Sequence, residues 1–308
     1  MTKRIAVLAV CLLALLASSA LAAPAAKKEL FLFIWSEYIP DEVLADFEKH
    51  SGIKVTATTY DSSEAMYSKL KLTGGKGYDI VVPSADYVMR MGSEGLLQPL
   101  DQMRLKNREN LADKFKGRPF DPDNLWSIPY MWGSTALAVN TEKIDPKTVQ
   151  SWGDLWRPEF KGRLLLPNDM RGVLGIGLKL LGHPLNSRDA GQIKAAYEKL
   201  KPLMASVKVF DSDSPKQAIL AGEVDLAVMW NGEAKVANEE NDKIIYIYPK
   251  EGFSMWMDNL AIPKGAKNVD AAYAFIDFIL RPEVAARICS EMGYATPNKA
   301  AMGTLDKA

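Results

Sequence analysis

The spacing of apolar and polar positions divides the chain into short strands and amphipathic helices. Residues 28–34 and 53–60 carry the apolar and β-branched runs expected of strands. Between them PDEVLADFEKHSG predicts a helix. Pro40 suits its first turn, Val43, Leu44 and Phe47 form an apolar stripe, and Gly52 can end it. SSEAMYSKLKLTGG predicts a second helix, YDIVVPS a third strand ending at Ser84, and ADYVMRMGSEGLLQPL a return to helix. Strands and helices in this alternation predict an α/β lobe with a largely parallel sheet.

The pattern then becomes irregular before resuming. Residues 127–132 and 134–140 predict two strands with Gly133 between them, and GRLLLPND predicts a strand ending near Asp169. Helices are expected at about 170–181, 189–204 and 213–221, and VDLAVMW predicts a strand that delivers Trp230 at its end. KIIYIYPKEG and SMWMDNLAIPKG read as extended, and VDAAYAFIDFILRPEVAARICSEMG as a helical hairpin broken at Pro282. Changes of lobe are expected near 133–135 and 250–256, each a strand-like crossover rather than a Gly/Ser linker. Two lobes joined twice in this way would enclose a cleft capable of hinge closure.

One segment falls outside this scheme. The charged MTKR, the apolar IAVLAVCLLALLASSA and the small-x-small Ala20-Leu21-Ala22 read as a secretory signal peptide cleaved after Ala22. A retained membrane anchor is the alternative, but the run is short for a span and is followed by a good cleavage site. Cys11 lies inside the apolar run after Val10, not at its end, which argues against a lipid attachment there. The expected mature chain keeps Cys289 alone, so no internal disulfide is available, and export of such a protein suits the bacterial periplasm.

The full chain has 308 residues, 48% of them hydrophobic and 25% charged, enough for two cores. Removing Lys3 and Arg4 with the leader takes the 38 basic residues to 36 against 38 acidic, a net charge of −2. There is no basic excess for a phosphate backbone, so nucleic acid is not an expected partner. Enzyme classes also fare poorly. His50 and His183, the only histidines, stand at a helix end and before Pro184, and neither has metal-ligand spacing with a second strong ligand. GGKGYD lacks the Lys-Ser/Thr and helix of a phosphate loop, GVLGIG follows no strand directly, and no Ser-centred nucleophile elbow occurs. The acids could act as a glycosidase pair, but carboxylates alone are a weak signal for that chemistry. No cofactor or metal is expected.

What recurs instead is an aromatic beside an acid where a strand ends: Trp35-Ser36-Glu37-Tyr38, Trp230-Asn231-Gly232-Glu233 and Trp256-Met257-Asp258, with Asp169 alone after RLLLPN. Open α/β sheets bind ligands beyond the carboxyl ends of their strands. Aromatic faces attract cations and carboxylates give charge-assisted hydrogen bonds, so the combination suits an organic amine. Core packing with a solvated acid accounts for each cluster taken singly. Trp126, Trp132, Trp152 and Trp156 read as packing residues.

At these clusters the sequence resembles the bacterial periplasmic spermidine/putrescine-binding proteins, the solute-binding components of polyamine ABC transporters. The segments IWSEYIP, YDIVVPSADYV, IPYMWGSTALAVN, SWGDLWRPEFKGRLLL, MWNGEA, WMDNLAIPKGAKN, ILRPEVA and GYATPN occur in the family's order across residues 29–298. The resemblance implies a two-lobed binding protein of type II-like α/β fold. Residues 1–22 would be the signal peptide, 28–133 the first part of lobe one, 134–252 lobe two, and 253–308 the return to lobe one. It implies a polyamine ligand, a membrane permease as partner, a monomer, and no catalysis. Carried over position by position, the expected ligand-binding residues are Trp35, Ser36, Glu37, Tyr38, Ser84, Asp169, Trp230, Trp256, Asp258 and Tyr294. Asp86 stands where close relatives of the spermidine receptor have a tyrosine, and Gly172 where they have an acid. Asp86 is therefore an eleventh candidate, replacing that acid from the opposite side or else facing solvent. The family's C-terminal addition to lobe two is expected to be absent. Another cationic metabolite, or a polyamine-sensing role, would suit the same pattern.

Overall fold

A computed structural model describes residues 28–305. The signal segment with its cleavage after Ala22 lies outside the described residues, as do residues 306–308. The first strands are β1 (Glu29–Trp35), β2 (Lys54–Tyr60) and β3 (Ile80–Val81), alternating with helices α1 (Asp41–Ser51), α2 (Ser63–Thr73) and α3 (Ala85–Ser93). The long strand β4 (Ser127–Asn140) follows, then β5 (Leu164–Leu166), α4 (Met170–Leu180), α5 (Ala190–Met204) and β6 (Val207–Phe210). The chain continues through α6 (Pro215–Leu220), β7 (Leu226–Trp230), α7 (Asn231–Glu240), β8 (Ile244–Ile247) and β9 (Ser254–Ala261). It closes on α8 (Val269–Ile279), α9 (Pro282–Met292) and the short α10 (Lys299–Met302).

The strands form two half-sheets that share β4. One half runs β2-β1-β3-β9-β4, with β2, β1 and β3 parallel and β9 antiparallel to both neighbours. The other runs β8-β4-β7-β5-β6, with β5, β6 and β7 parallel and β4 antiparallel to β7 and β8. The molecule is thus a two-lobed α/β structure of the type II periplasmic binding-protein kind. The first part of β4 pairs with β9, from Ser127 opposite Ala261 to Thr135 opposite Ser254, and its last residues pair with β7 and β8.

Helices cover both faces of the central strands, so β1, β5 and β7 are apolar over almost their whole length, whereas the edge strands β2 and β6 keep exposed polar positions. Period-2 geometry then sorts their side chains into two cores per lobe. In β1, Leu30, Leu32 and Ile34 face the core shared with α1 and α8, where Phe47 meets Phe275 edge-on at 5.0 Å, while Phe33 faces the opposite core with Tyr60 and Leu70. In the second lobe Leu164, Leu166, Leu226 and Val228 point one way, and Leu165, Ala227 and Met229 the other.

Three local expectations change. The two strands expected around Gly133 are one unbroken strand. Glycine is needed there for space, since a Cβ would lie 2.6 Å from the Trp256 ring and 2.3 Å from the Asn231 amide oxygen. The helix expected over 85–100 stops at Ser93, because Gly95 at φ +69° turns the chain and lets Leu97 and Leu100 drop into the cores. The third strand is shorter than expected, ending before Pro83, which has no N–H to offer the ladder.

Candidate functional site

Four strand ends and one strand flank meet at a cleft of about 1000 Å³ between the lobes. Beyond β1 come Trp35, Ser36 and Tyr38; beyond β3, Ser84 and Asp86 open α3; beyond β5, Asp169 caps α4; and β7 ends on Trp230. Trp256 and Asp258 were expected at a strand end but lie inside β9. They reach the cleft because β9 runs antiparallel, so its early residues lie beside the carboxyl end of β3; Asp258 bridges Ser84 directly. Ten of the eleven predicted residues line the cleft: these nine and Tyr294. Glu37 does not.

The centre of the site is Asp258. It is 6% exposed, and its Oδ2 accepts a 2.7 Å hydrogen bond from the Tyr38 hydroxyl. Tyr38 is itself fixed, since its carbonyl accepts from Tyr130 at 2.8 Å and its ring lies 5.3 Å from that of Tyr294. Trp256 meets Tyr294 edge-on at 5.4 Å. Among the described residues no lysine, arginine or histidine pairs with Asp258. Desolvation pushes its pKa from 3.8 to about 7; the Tyr38 hydrogen bond opposes this, while the charges of Asp86 and Asp169 add to it. Asp169 is also raised, first by burial, against the stabilising Gly172 N–H, and further by Glu64 and Asp86. The acids therefore form a repelling row that lacks positive charge at its middle.

Both ends of the row carry internal cations from the second lobe. Asp86 accepts from the Ser84 hydroxyl at 3.0 Å, and Arg171 Nε stands 3.6 Å from its other oxygen. Asp86 thus faces the cleft, one of the two placements the sequence left open. Glu37, held at φ +48°, turns its carboxylate to Lys216 and to the Ser214 hydroxyl. Lys216 also meets Glu233 at 3.2 Å.

The WNGE segment shows how local sequence builds this wall. Trp230 faces the cleft, and the Asn231 amide oxygen accepts the Ser134 N–H at 2.8 Å, tying α7 to β4. Gly232 lies flat on the Tyr294 ring, where a Cβ would approach to 2.4 Å. Glu233 then reaches Lys216. Gly172 has a similar explanation: a Cβ there would lie 2.4 Å from Asp169 Oδ2, so a side chain would push aside the carboxylate whose Oδ1 caps the helix.

Several cleft residues escaped the sequence reading. Trp132, read as packing, lines the cleft beside Phe115 at 5.6 Å while its indole N–H reaches the Thr296 carbonyl. Phe115, Arg118 and Phe120 arrive on the irregular segment that Asp121, 1% exposed, ties to the start of β4 through three backbone N–H groups and the Ser127 hydroxyl. Glu64 and Arg171 were legible in principle, each lying just past a strand end in the first turn of a helix.

Residues 42–304 match the family described as bacterial extracellular solute-binding protein, and the chain belongs to that class. It is 48% identical over 272 residues to the spermidine/putrescine-binding periplasmic protein of Escherichia coli strain K12, covering 88% of this chain and 78% of that one. It is 33% identical over 307 residues to the putrescine-binding periplasmic protein of the same organism, covering 94% and 83%. A solved Listeria monocytogenes protein, provisionally assigned to spermidine/putrescine ABC transport, superposes with a TM-score of 0.87 at 40% identity over 91% of this chain and 86% of that one. Within its class the chain is a member of the spermidine/putrescine-binding periplasmic protein family.

Proposed function

We propose that this protein captures a polyamine in the periplasm and delivers it to an ABC-type permease, with the cleft residues around Asp258 as the binding site. The observation that carries the site assignment is a buried carboxylate that no cation among the described residues pairs with, set among Trp256, Tyr38 and Tyr294. An alkylammonium supplies what this site lacks. Its charge pairs with Asp258 and its methylenes lie against the rings, where cation–π attraction adds about 1–2 kcal/mol. Asp169 offers a second carboxylate across the lobes. Residues 28–133 with the return from 253 form one lobe and 134–252 the other. Closure about the paired stretch of β4 and β9 excludes water, strengthens both ion pairs, and presents a surface made from both lobes to the permease. The ligand drives closure by as much as it binds the closed form more tightly.

The role is capture and release without chemistry. Calorimetry with putrescine, spermidine, cadaverine and arginine tests it. The expected result is tight binding of at least one polyamine and loss of that binding in Asp258→Asn. A variant that binds as tightly as the parent removes Asp258 from the site, and a parent indifferent to every polyamine removes the function.

A further inference from the structure

Lys216 is the one buried lysine or arginine among the described residues. It stands in the first turn of α6, and its ammonium contacts Glu37 from the first lobe, both oxygens of Glu233 at 3.3 and 3.2 Å, and the Ser214 hydroxyl at 3.3 Å. Burial pulls its pKa down, but the Glu37 hydrogen bond and the charges of Glu233 and Glu37 outweigh this and leave it above the ordinary value, so it is charged. Glu233 lines the cleft beside Trp230 and Tyr294; the half-exposed Glu37 and the buried Lys216 adjoin it through Glu233 without lining the cleft themselves. Burial also raises the pKa of Glu233, with Lys216 opposing, which marks it as a carboxylate short of solvation. Two acids and one ammonium give this end of the cleft a net charge of −1. Without the lysine, Glu37 and Glu233 would leave two unanswered carboxylates at this end of the cleft.

We infer that Lys216 is a specificity-determining residue: a tethered ammonium that answers Glu37 and Glu233 in place of a ligand ammonium and so biases the cleft toward a diamine over a triamine. The inference rests on the polyamine reading above. Among the described residues Asp258 and Asp169 pair with no protein cation and remain for two ligand charges, while the extra ammonium of a triamine meets carboxylates that Lys216 already answers. The position of Glu37 supports this. It adopts a left-handed backbone conformation, unfavourable for a residue with a Cβ, and that turn carries its carboxylate to Lys216. Lys216 also joins the lobes, so its effect on selectivity must be separated from an effect on closure.

The separation lies in the ratio of two affinities. Calorimetry at about pH 8, with Asp258 ionised, compares spermidine with putrescine on the full chain carrying Lys216→Met or Glu233→Gln. Lys216→Met exposes one more carboxylate charge to the ligand and raises the spermidine-to-putrescine affinity ratio about tenfold. Glu233→Gln removes one charge while keeping shape, and lowers the ratio by about as much. A residue that only held the lobes together would weaken both amines alike. An unchanged ratio, or one moved the wrong way in either folded variant, overturns the inference while leaving polyamine capture intact. If Lys216→Met does not fold, Glu233→Gln decides alone. A parent chain that binds neither amine overturns both readings.

Discussion

Replacing Asp258 by Asn should make the empty protein more stable while destroying its purpose. The side chains have the same shape, and the Asn carbonyl can still accept from Tyr38. What changes is charge. The folded-state pKa of Asp258 is about 7 against an ordinary 3.8, so between these values the unfolded chain has released a proton that the native protein keeps. Stability of the parent therefore falls as pH rises across that window, and above it the full penalty of a buried, unpaired carboxylate is present. The shift corresponds to a ceiling of about 4 kcal/mol. At about 2 °C per kcal/mol for a chain of this size, the ceiling on the change in Tm is about 8 °C. Scanning calorimetry of parent and variant without ligand, at about pH 4 and about pH 8, measures it. The two should melt together in acid, and Asp258→Asn should melt several degrees higher at the alkaline point. With saturating polyamine the order should reverse, because only the parent gains the binding contribution to stability. A variant that melts lower than the parent at the alkaline point, or a difference independent of pH, would refute the claim that Asp258 is buried without a counter-ion.

The same ionisation governs capture: ammonium binding needs charged Asp258, so polyamine affinity should weaken by up to about tenfold per pH unit below 7, with proton release seen as a buffer-dependent heat in calorimetry. Trp256→Ala should cost about 2 kcal/mol of affinity by removing the ring beside that charge, while Trp256→Phe, which keeps a smaller aromatic face and gives up an indole N–H that has no partner, should lose less. Gly133→Ala should push Trp256 and Asn231 aside and lower unfolding free energy by about 1–3 kcal/mol in urea titrations. Gly172→Glu should dislodge Asp169 from its helix cap, costing about 1 kcal/mol of stability even if the new acid contributes to ligand binding.

Much of this was legible one segment at a time. Continuous apolar runs at β1, β5 and β7 announced strands covered on both faces, Gly52 and Gly74 marked the ends of α1 and α2, and Pro282 divided the last helical pair. The aromatic and acidic residues after those strands were readable because strand period and strand direction place them together at one edge of a sheet. Gly133 misled because a glycine needed for space looks the same in sequence as one needed for a turn. Its neighbours in space, Asn231 and Trp256, lie about a hundred residues away or more. The same holds for the acids. Glu37 and Asp258 are both carboxylates near aromatics in the chain, yet one is paired with a lysine 179 residues on and the other only with a tyrosine 220 residues before it. The chain by itself set backbone conformation and the face each side chain occupies, because those depend on neighbours in sequence. Only the assembled lobes decided which charges are answered and which are left waiting for a ligand, because solvation and Coulomb energy depend on distances that folding alone creates.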